Sequence, residues 1–176
     1  MKKNTKKPQT KTKAEGTLVA FLLDRSGSMQ STKQETISGF NSYLDELKKG
    51  PDSRNLRFTL TQFDSQGIDI IHNGVPLSEV AKMTDKSFQP RSWTPLYDAL
   101  GKTIQATEEQ AVSEKVLFVT LTDGQENASH EWNHSRINAL IKEKESKNWT
   151  FAYIGIGKEA WVANAHLAQG TISAAN

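Results

Sequence analysis

Three short stretches hold side chains that can do chemistry together. Asp24-Arg-Ser26-Gly-Ser28 closes the apolar run LVAFLL (18–23), Asp123 follows a second run, VLFVTL (116–121), through Thr122, and Thr94-Pro95 stands between them in the chain. Uninterrupted apolar runs of this length suit strands buried on both faces of a parallel sheet. Two such strands running the same way deliver Asp24 and Asp123 to one rim of that sheet. Carboxylates brought together repel and ask for a cation. Ser26 and Ser28 curl over the same rim on a glycine-containing loop, and Thr94 opens a helix that can begin there. The set is all oxygen, two carboxylates and three hydroxyls, which is the chemistry of a hard cation such as Mg²⁺ (or Mn²⁺) that keeps some of its waters. With neutral hydroxyls making up the shell, the ion stays electrophilic and has room for a carboxylate from another protein. Each residue alone has a local explanation, as a turn former or a helix cap; it is the combination and its chain order that make a candidate site.

The elements that must position these residues alternate along the chain. A helix is expected from about Thr32, with Thr32 and Glu35 as a capping box, Ile37, Phe40, Leu44 and Leu47 on one face, and Gly50-Pro51 as its end. LRFTLTQF (56–63) and IDIIH (68–72) flank the turn-like DSQG and predict a hairpin at one edge of the sheet. A polar, irregular stretch reaches Trp93. Thr94 as N-cap and Pro95 as first helical residue then start a helix with Leu96, Ala99, Leu100 and Ile104 facing inward. A helix over 134–147 carries Ile137, Leu140 and Ile141, TFAYIGI (150–156) is a further strand, and a short helix at 158–167 and a strand at 171–173 finish the pattern. This is an α/β chain of the Rossmann-like, doubly wound kind: a mostly parallel sheet with one antiparallel edge strand and helices on both faces. In such folds ligands bind beyond the carboxyl ends of the strands.

The segments Asp24-Arg-Ser26-Gly-Ser28-Met, Thr94-Pro-Leu-Tyr-Asp-Ala and Thr-Asp123-Gly resemble the metal-ion-dependent adhesion site of the von Willebrand factor type A domain family, and the resemblance extends over about residues 17–173. It is nearest to short, single-domain bacterial and phage members, which share GFN, TPLYDA and TDGxENAS. The resemblance implies a metal-mediated protein-binding module. In it Ser26, Ser28 and Thr94 bind the ion directly, Asp24 and Asp123 act through water, and an Asp or Glu of a partner protein completes the shell. Arg25, Arg91, Trp93, Gln125 and Glu126 are the expected partner contacts on the surrounding rim. The residue before the family threonine is commonly Gly, whereas here it is Trp93, a large indole set beside the ion. The chain also leaves out, on this reading, the last helix that couples metal ligation to a shape change in adhesion receptors, so switching is not carried over.

Composition frames these readings. A chain of 176 residues suits one domain with a sizeable core. Its formal charge of +2 conceals an asymmetry, because residues 1–16 hold six Lys against one Glu. That stretch is almost without apolar side chains and is expected to be a disordered basic tail preceding a domain over 17–176. Clustered lysines attract polyanions, so nucleic acid is one reading of the tail and a solvated end the other. The basic start followed by TLVAFLL mimics a secretory signal, but it has no small-residue cleavage site and stops at Asp24. No stretch approaches the roughly 20 apolar residues of a membrane span. The absence of cysteine excludes disulfides and thiolate metal sites and is consistent with a cytoplasmic protein.

Other motifs point to enzymes. His130-Glu-Trp-Asn-His134 satisfies HExxH, which places two His on one helical face around zinc with Glu as base. It falls directly after a loop-like DGQENAS, however, and only His166 and Glu159 offer a third ligand. Gly155-Ile-Gly-Lys-Glu-Ala resembles a dinucleotide fingerprint but lacks the acidic residue about 20 positions on. A metal-dependent hydrolase with Asp24 as nucleophile lacks an evident acid or base beside it. The binding module is therefore the leading reading and a hydrolase the alternative. Trp132, Trp149 and Trp161 read as packing residues.

Overall fold

The computed structural model describes residues 16–124 and 126–155. The basic tail, the helix expected at 158–167 and the strand expected at 171–173 lie outside those residues. Five strands form one sheet: β1 (Thr17–Asp24), β2 (Leu56–Asp64), β3 (Gly67–Pro76), β4 (Lys115–Thr122) and β5 (Trp149–Gly155), in the order β3-β2-β1-β4-β5. β1 pairs in parallel with β2 and β4, β4 pairs in parallel with β5, and β3 runs antiparallel to β2 at the edge. Helices α1 (Lys33–Lys49), α2 (Leu96–Gln110) and α3 (His134–Glu145) connect them.

The six apolar residues of β1 are all buried because the strand is central and covered on both faces. Alternation along it divides the interior in two. Val19, Phe21 and Leu23 pack with Ile37, Phe40 and Leu44 of α1 and with Leu77, Val80, Met83 and Phe88 from the long segment after β3. Leu18, Ala20 and Leu22 pack with Leu96, Ala99, Leu100 and Ile104 of α2 and with Ile137 of α3. Trp149 stacks on Phe118 on this second side, and Phe151 packs against Phe118 at a tilt. No helix among the described residues is long and apolar enough to cross a membrane.

Two helix starts differ from the sequence expectation. A 3₁₀ segment, Gly27–Thr32, precedes α1, and Thr32 makes no capping bond with its side chain. Its hydroxyl donates back to the Met29 carbonyl, which a 3₁₀ turn brings within reach, so the Thr32–Glu35 capping box does not form. α2 begins at Leu96 with Pro95 in the cap position, one residue later than expected. Thr94 is held in the preceding segment instead, and the free amides of the helix start are satisfied from outside the helix, as described below.

The chain reverses direction of winding at β1, with β2 added on one side and β4 on the other. Beyond the carboxyl ends of strands at such a reversal lies the crevice where ligands sit in open α/β sheets. The register pairs Leu23 with Leu121, so β1 and β4 reach the rim together, and Asp24, the last residue of β1, and Asp123, the first after β4, emerge there.

Candidate functional site

Asp24 is fully buried at the last position of β1. Its Oδ1 accepts the Ser26 amide at 2.7 Å, and its Oδ2 accepts the Thr122 hydroxyl at 2.6 Å. Burial pushes its carboxyl up to about 6 against the pull of these hydrogen bonds, and the neighbouring charge of Asp123 adds to the rise. Asp123 Oδ1 is buried and has no hydrogen-bond partner among the described residues. Buried polar atoms nearly always find a partner, so a carboxylate oxygen without one among the described residues, beside a second carboxylate, makes this rim a candidate site. Ser26 is buried, and its Oγ lies 3.1 Å from Ser28 Oγ on the exposed side of the loop. Two carboxylates and two hydroxyls thus meet at the rim. Thr94 is buried, and the residues shortly before it, Arg91 and Ser92, are bonded through their backbones to the same loop.

Those connections are dense. Gly27 donates its amide to the Ser92 carbonyl at 2.9 Å, and Arg91 donates its amide to the Arg25 carbonyl at 2.8 Å. Trp93 exchanges with the hairpin turn, its carbonyl accepting from the Ser65 amide and its amide donating to Ser65 Oγ. Asn127 brackets Thr94, its Oδ1 accepting the Thr94 amide at 2.8 Å and its own amide donating to the Thr94 carbonyl at 3.1 Å. Gly124 sits at φ +96, a left-handed conformation that suits glycine, and its amide donates to Thr122 Oγ1.

The expected rim residues separate into groups. Arg25 is buried, with Nε donating to Asp64 Oδ2 at 2.8 Å and Nη2 lying 2.7 Å from Asp69 as an ion pair outside hydrogen-bond alignment. Arg91 Nε donates to the same Asp64 oxygen at 2.8 Å, with its side chain 47% exposed. The Glu126 carboxylate is engaged by four donors: the amides of Tyr97, Ala128 and Ser129 and the Ser129 hydroxyl. It caps α2 from the β4–α3 loop, aided by Ser129 Oγ, which accepts the Asp98 amide at 3.1 Å. A carboxylate at a helix N-terminus is favoured by the exposed amides there and by the helix dipole. Trp93 is 66% exposed. Gln125 lies outside the described residues.

HEWNH does not take the geometry its pattern asks for. His130, Glu131 and Trp132 precede α3, and their three amides donate to the buried Asp98 carboxylate at 2.8–3.0 Å. His134 is the first residue of α3, so the two histidines do not share a helical face. Glu131 Oε1 pairs with Lys102 at 2.6 Å on the surface. His166 and Glu159 lie outside the described residues.

A family model described as the von Willebrand factor type A domain matches residues 19–171. The chain belongs to the von Willebrand factor type A domain family. Domains of this family commonly act as protein-interaction or adhesion modules. The SpRpn10 VWA domain resembles it at a TM-score of 0.58 and 12% identity, over 92% of this chain and 84% of that one. The manganese-loaded TRAP protein of Plasmodium vivax matches at 0.56 and 17%, over 88% of this chain and 63% of that one. The pilus adhesin SpaC of Lactobacillus rhamnosus GG, in an open conformation, matches at 0.61 and 12%, over 82% of this chain but only 24% of the adhesin. At these identities the likeness is one of fold. No curated protein matches the chain in sequence.

Three residues that matter locally carried no signal of their own in the sequence. Thr122 orients Asp24, Asn127 holds Thr94, and Asp98 gathers the amides of the β4–α3 loop. The ENAS segment was visible as a family wording, and its physical content is the capping of α2 and the fixing of Thr94.

Proposed function

We propose that this domain binds a partner protein through a divalent cation, Mg²⁺ or Mn²⁺, held at the rim by Ser26, Ser28 and Thr94 with Asp24 and Asp123 behind them. The observation that carries this reading is the buried Asp123 Oδ1, without a hydrogen-bond partner among the described residues, next to the buried Asp24 carboxyl. A fully buried Asp24 carboxyl beside a half-buried Asp123, with no cationic side chain bonded to either among the described residues, favours an ion between them. The oxygen-only donor set matches a hard cation and offers little to zinc or copper. When bound, the ion supplies an electrophilic centre with an open position. Within the chain, Thr122 holds Asp24 in place, the Ser26 amide fixes its other oxygen, and Asn127 keeps Thr94 at the rim. The partner then contributes an Asp or Glu carboxylate, and the reading involves no bond-making chemistry. A manganese-loaded relative by fold and a pilus adhesin lend it support by analogy.

Thermal unfolding of the full chain in EDTA and then in excess Mg²⁺ or Mn²⁺ tests the proposal. At 100 times the dissociation constant the ion stabilises by about 2.7 kcal/mol, which raises the midpoint by roughly 5–10 °C for a domain of this size. Asp123→Asn is expected to lose that shift without losing stability in EDTA, since it removes an unpaired charge. An unmoved wild-type midpoint at millimolar ion, or an equal shift in the variant, overturns the proposal.

A further inference from the structure

Four large hydrophobic side chains are exposed among the described residues: Ile70, Ile71, Trp93 and Val112. The two isoleucines lie on edge strand β3, and Val112 lies between α2 and the start of β4, at the end of the sheet away from the rim. Trp93 alone belongs to the rim, immediately before Thr94. The indole is 66% exposed, and large aromatic side chains bury well over 100 Å² when they find a surface.

The backbone beneath this indole is fixed, which distinguishes it from a loosely held loop residue. Trp93 is bonded at both its amide and its carbonyl to Ser65 in the β2–β3 turn. Ser92 is held at φ +63, a left-handed conformation that a serine adopts under constraint, with its carbonyl accepting from Gly27 and its hydroxyl bonded to Ser65. Arg91 is tied by its amide to Arg25 and by its guanidinium to Asp64. On the far side, Asn127 closes over Thr94 from both directions. An aromatic side chain on such a support has two torsions to immobilise on binding, so a contact made to it loses little to entropy.

Charge narrows what it contacts. The guanidinium of Arg91, half-exposed two residues away, disfavours a Lys or Arg laid on the indole and favours an acidic segment. We infer that the rim makes a two-point contact: the carboxylate of an acidic peptide segment at the ion, and an apolar or aromatic side chain of the same segment on Trp93. The inference rests on the metal-dependent binding proposed above and assigns Trp93 the selection of which acidic segment is accepted. The occupant is a protein segment, because a free carboxylic acid meets the ion but not the indole.

Short random peptides displayed on phage, captured on the full chain in Mg²⁺ and eluted with EDTA, provide the probe. The expected result is enrichment of peptides with Asp or Glu at a constant spacing from an apolar or aromatic residue. Synthesised singly, they bind Trp93→Ala about thirtyfold more weakly than wild type, as for a central aromatic anchor, and bind Trp93→Phe nearly as well as wild type. The Mg²⁺ affinity of Trp93→Ala, titrated without peptide, stays at the wild-type value. EDTA-eluted peptides that bind Trp93→Ala as tightly as wild type overturn the role of the indole while leaving the metal site standing. Enrichment without a carboxylate, or Mg²⁺ binding without any EDTA-eluted peptide, overturns the two-point contact. Absence of Mg²⁺ binding in the titration overturns the contact and the metal reading together, so the two failures are distinguishable.

Discussion

Two pairs of acidic residues in this domain hold buried oxygens under opposite conditions, although Asp123 as a whole is only half-buried. Asp64 and Asp98 have every oxygen occupied: Asp64 by Arg25, Arg91 and the Gln66 amide, Asp98 by three consecutive amides of the β4–α3 loop. Asp24 and Asp123 share a rim with each other, with hydroxyls, and with one oxygen that nothing in the described chain satisfies. Burial works to raise both Asp64 and Asp98, yet the hydrogen bonds they accept outweigh it and hold their carboxyls below the ordinary value of 3.8. At Asp24 burial prevails and the carboxyl rises to about 6. The first pair therefore stabilises the loops around the rim, whereas in the second the Asp24 hydrogen bonds do not offset its burial and Asp123 Oδ1 has no partner among the described residues. A fold that can satisfy two buried carboxylates completely has the means to satisfy the others, which is why the open pair reads as a site.

The largest expected effect comes from breaking the closed pair. Asp64→Asn leaves the buried Arg25 with only the half-exposed Asp69 as counter-charge and should destabilise by about 3 kcal/mol, the half-exposed Arg91 contributing little of that. Calorimetry should show a midpoint lower by about 10 °C in EDTA and in Mg²⁺ alike; a loss seen in only one of the two conditions would contradict the division drawn here. Acid unfolding adds the sign. Because the folded pKa of Asp64 and Asp98 is depressed, the stability they provide is complete above the unfolded value and is lost as pH falls through the depressed one, so the loss of stability below about pH 4 should be less steep in Asp64→Asn than in wild type.

A smaller effect, and one that touches both functions, is expected at Thr122. Its buried hydroxyl donates to Asp24 and accepts from Gly124, so Thr122→Val removes the donor that orients Asp24 and strands the Gly124 amide. Stability should fall by roughly 1–3 kcal/mol, and Mg²⁺ affinity by about 10- to 100-fold, as for other groups that orient a metal ligand from behind. Thermal unfolding of the metal-free protein reads the first, and titration calorimetry with Mg²⁺ reads the second. Unchanged Mg²⁺ affinity in a folded variant would mean that Asp24 needs no orienting partner.

The division also explains what was legible in the sequence. The sheet, its antiparallel edge, the helix order and the delivery of Asp24 and Asp123 to one rim follow from long apolar runs, which report burial directly. The helix starts were misplaced because capping at α2 is done in trans by Glu126 and Ser129, some 30 positions downstream, and no local pattern around Thr94 and Pro95 records that. Arg25, Arg91 and Glu126 were visible as charged residues near the rim, but whether a charge faces a partner or an internal counter-charge depends on the tertiary neighbours that only the fold supplies. Asp98, inside the family-like TPLYDA, has the local sequence of an ordinary acid on a helix, although three amides converge on it.

The smallest effect is expected where the sequence pattern looked most like an active site. Glu131, the would-be base of HEWNH, is exposed and pairs with exposed Lys102, an arrangement that contributes at most about 1 kcal/mol. The amides of His130, Glu131 and Trp132 are committed to Asp98, which keeps this segment off the helix that zinc chemistry needs. Glu131→Gln should therefore shift the melting midpoint by no more than about 4 °C, and leave Mg²⁺ binding untouched. Zn²⁺ should stabilise wild type and Glu131→Gln to the same small extent, and neither should cleave an unstructured peptide. Zinc-dependent cleavage by wild type that is lost in Glu131→Gln would move the chemistry to this loop, and would require the histidines to adopt in solution a helical geometry that Asp98 now opposes.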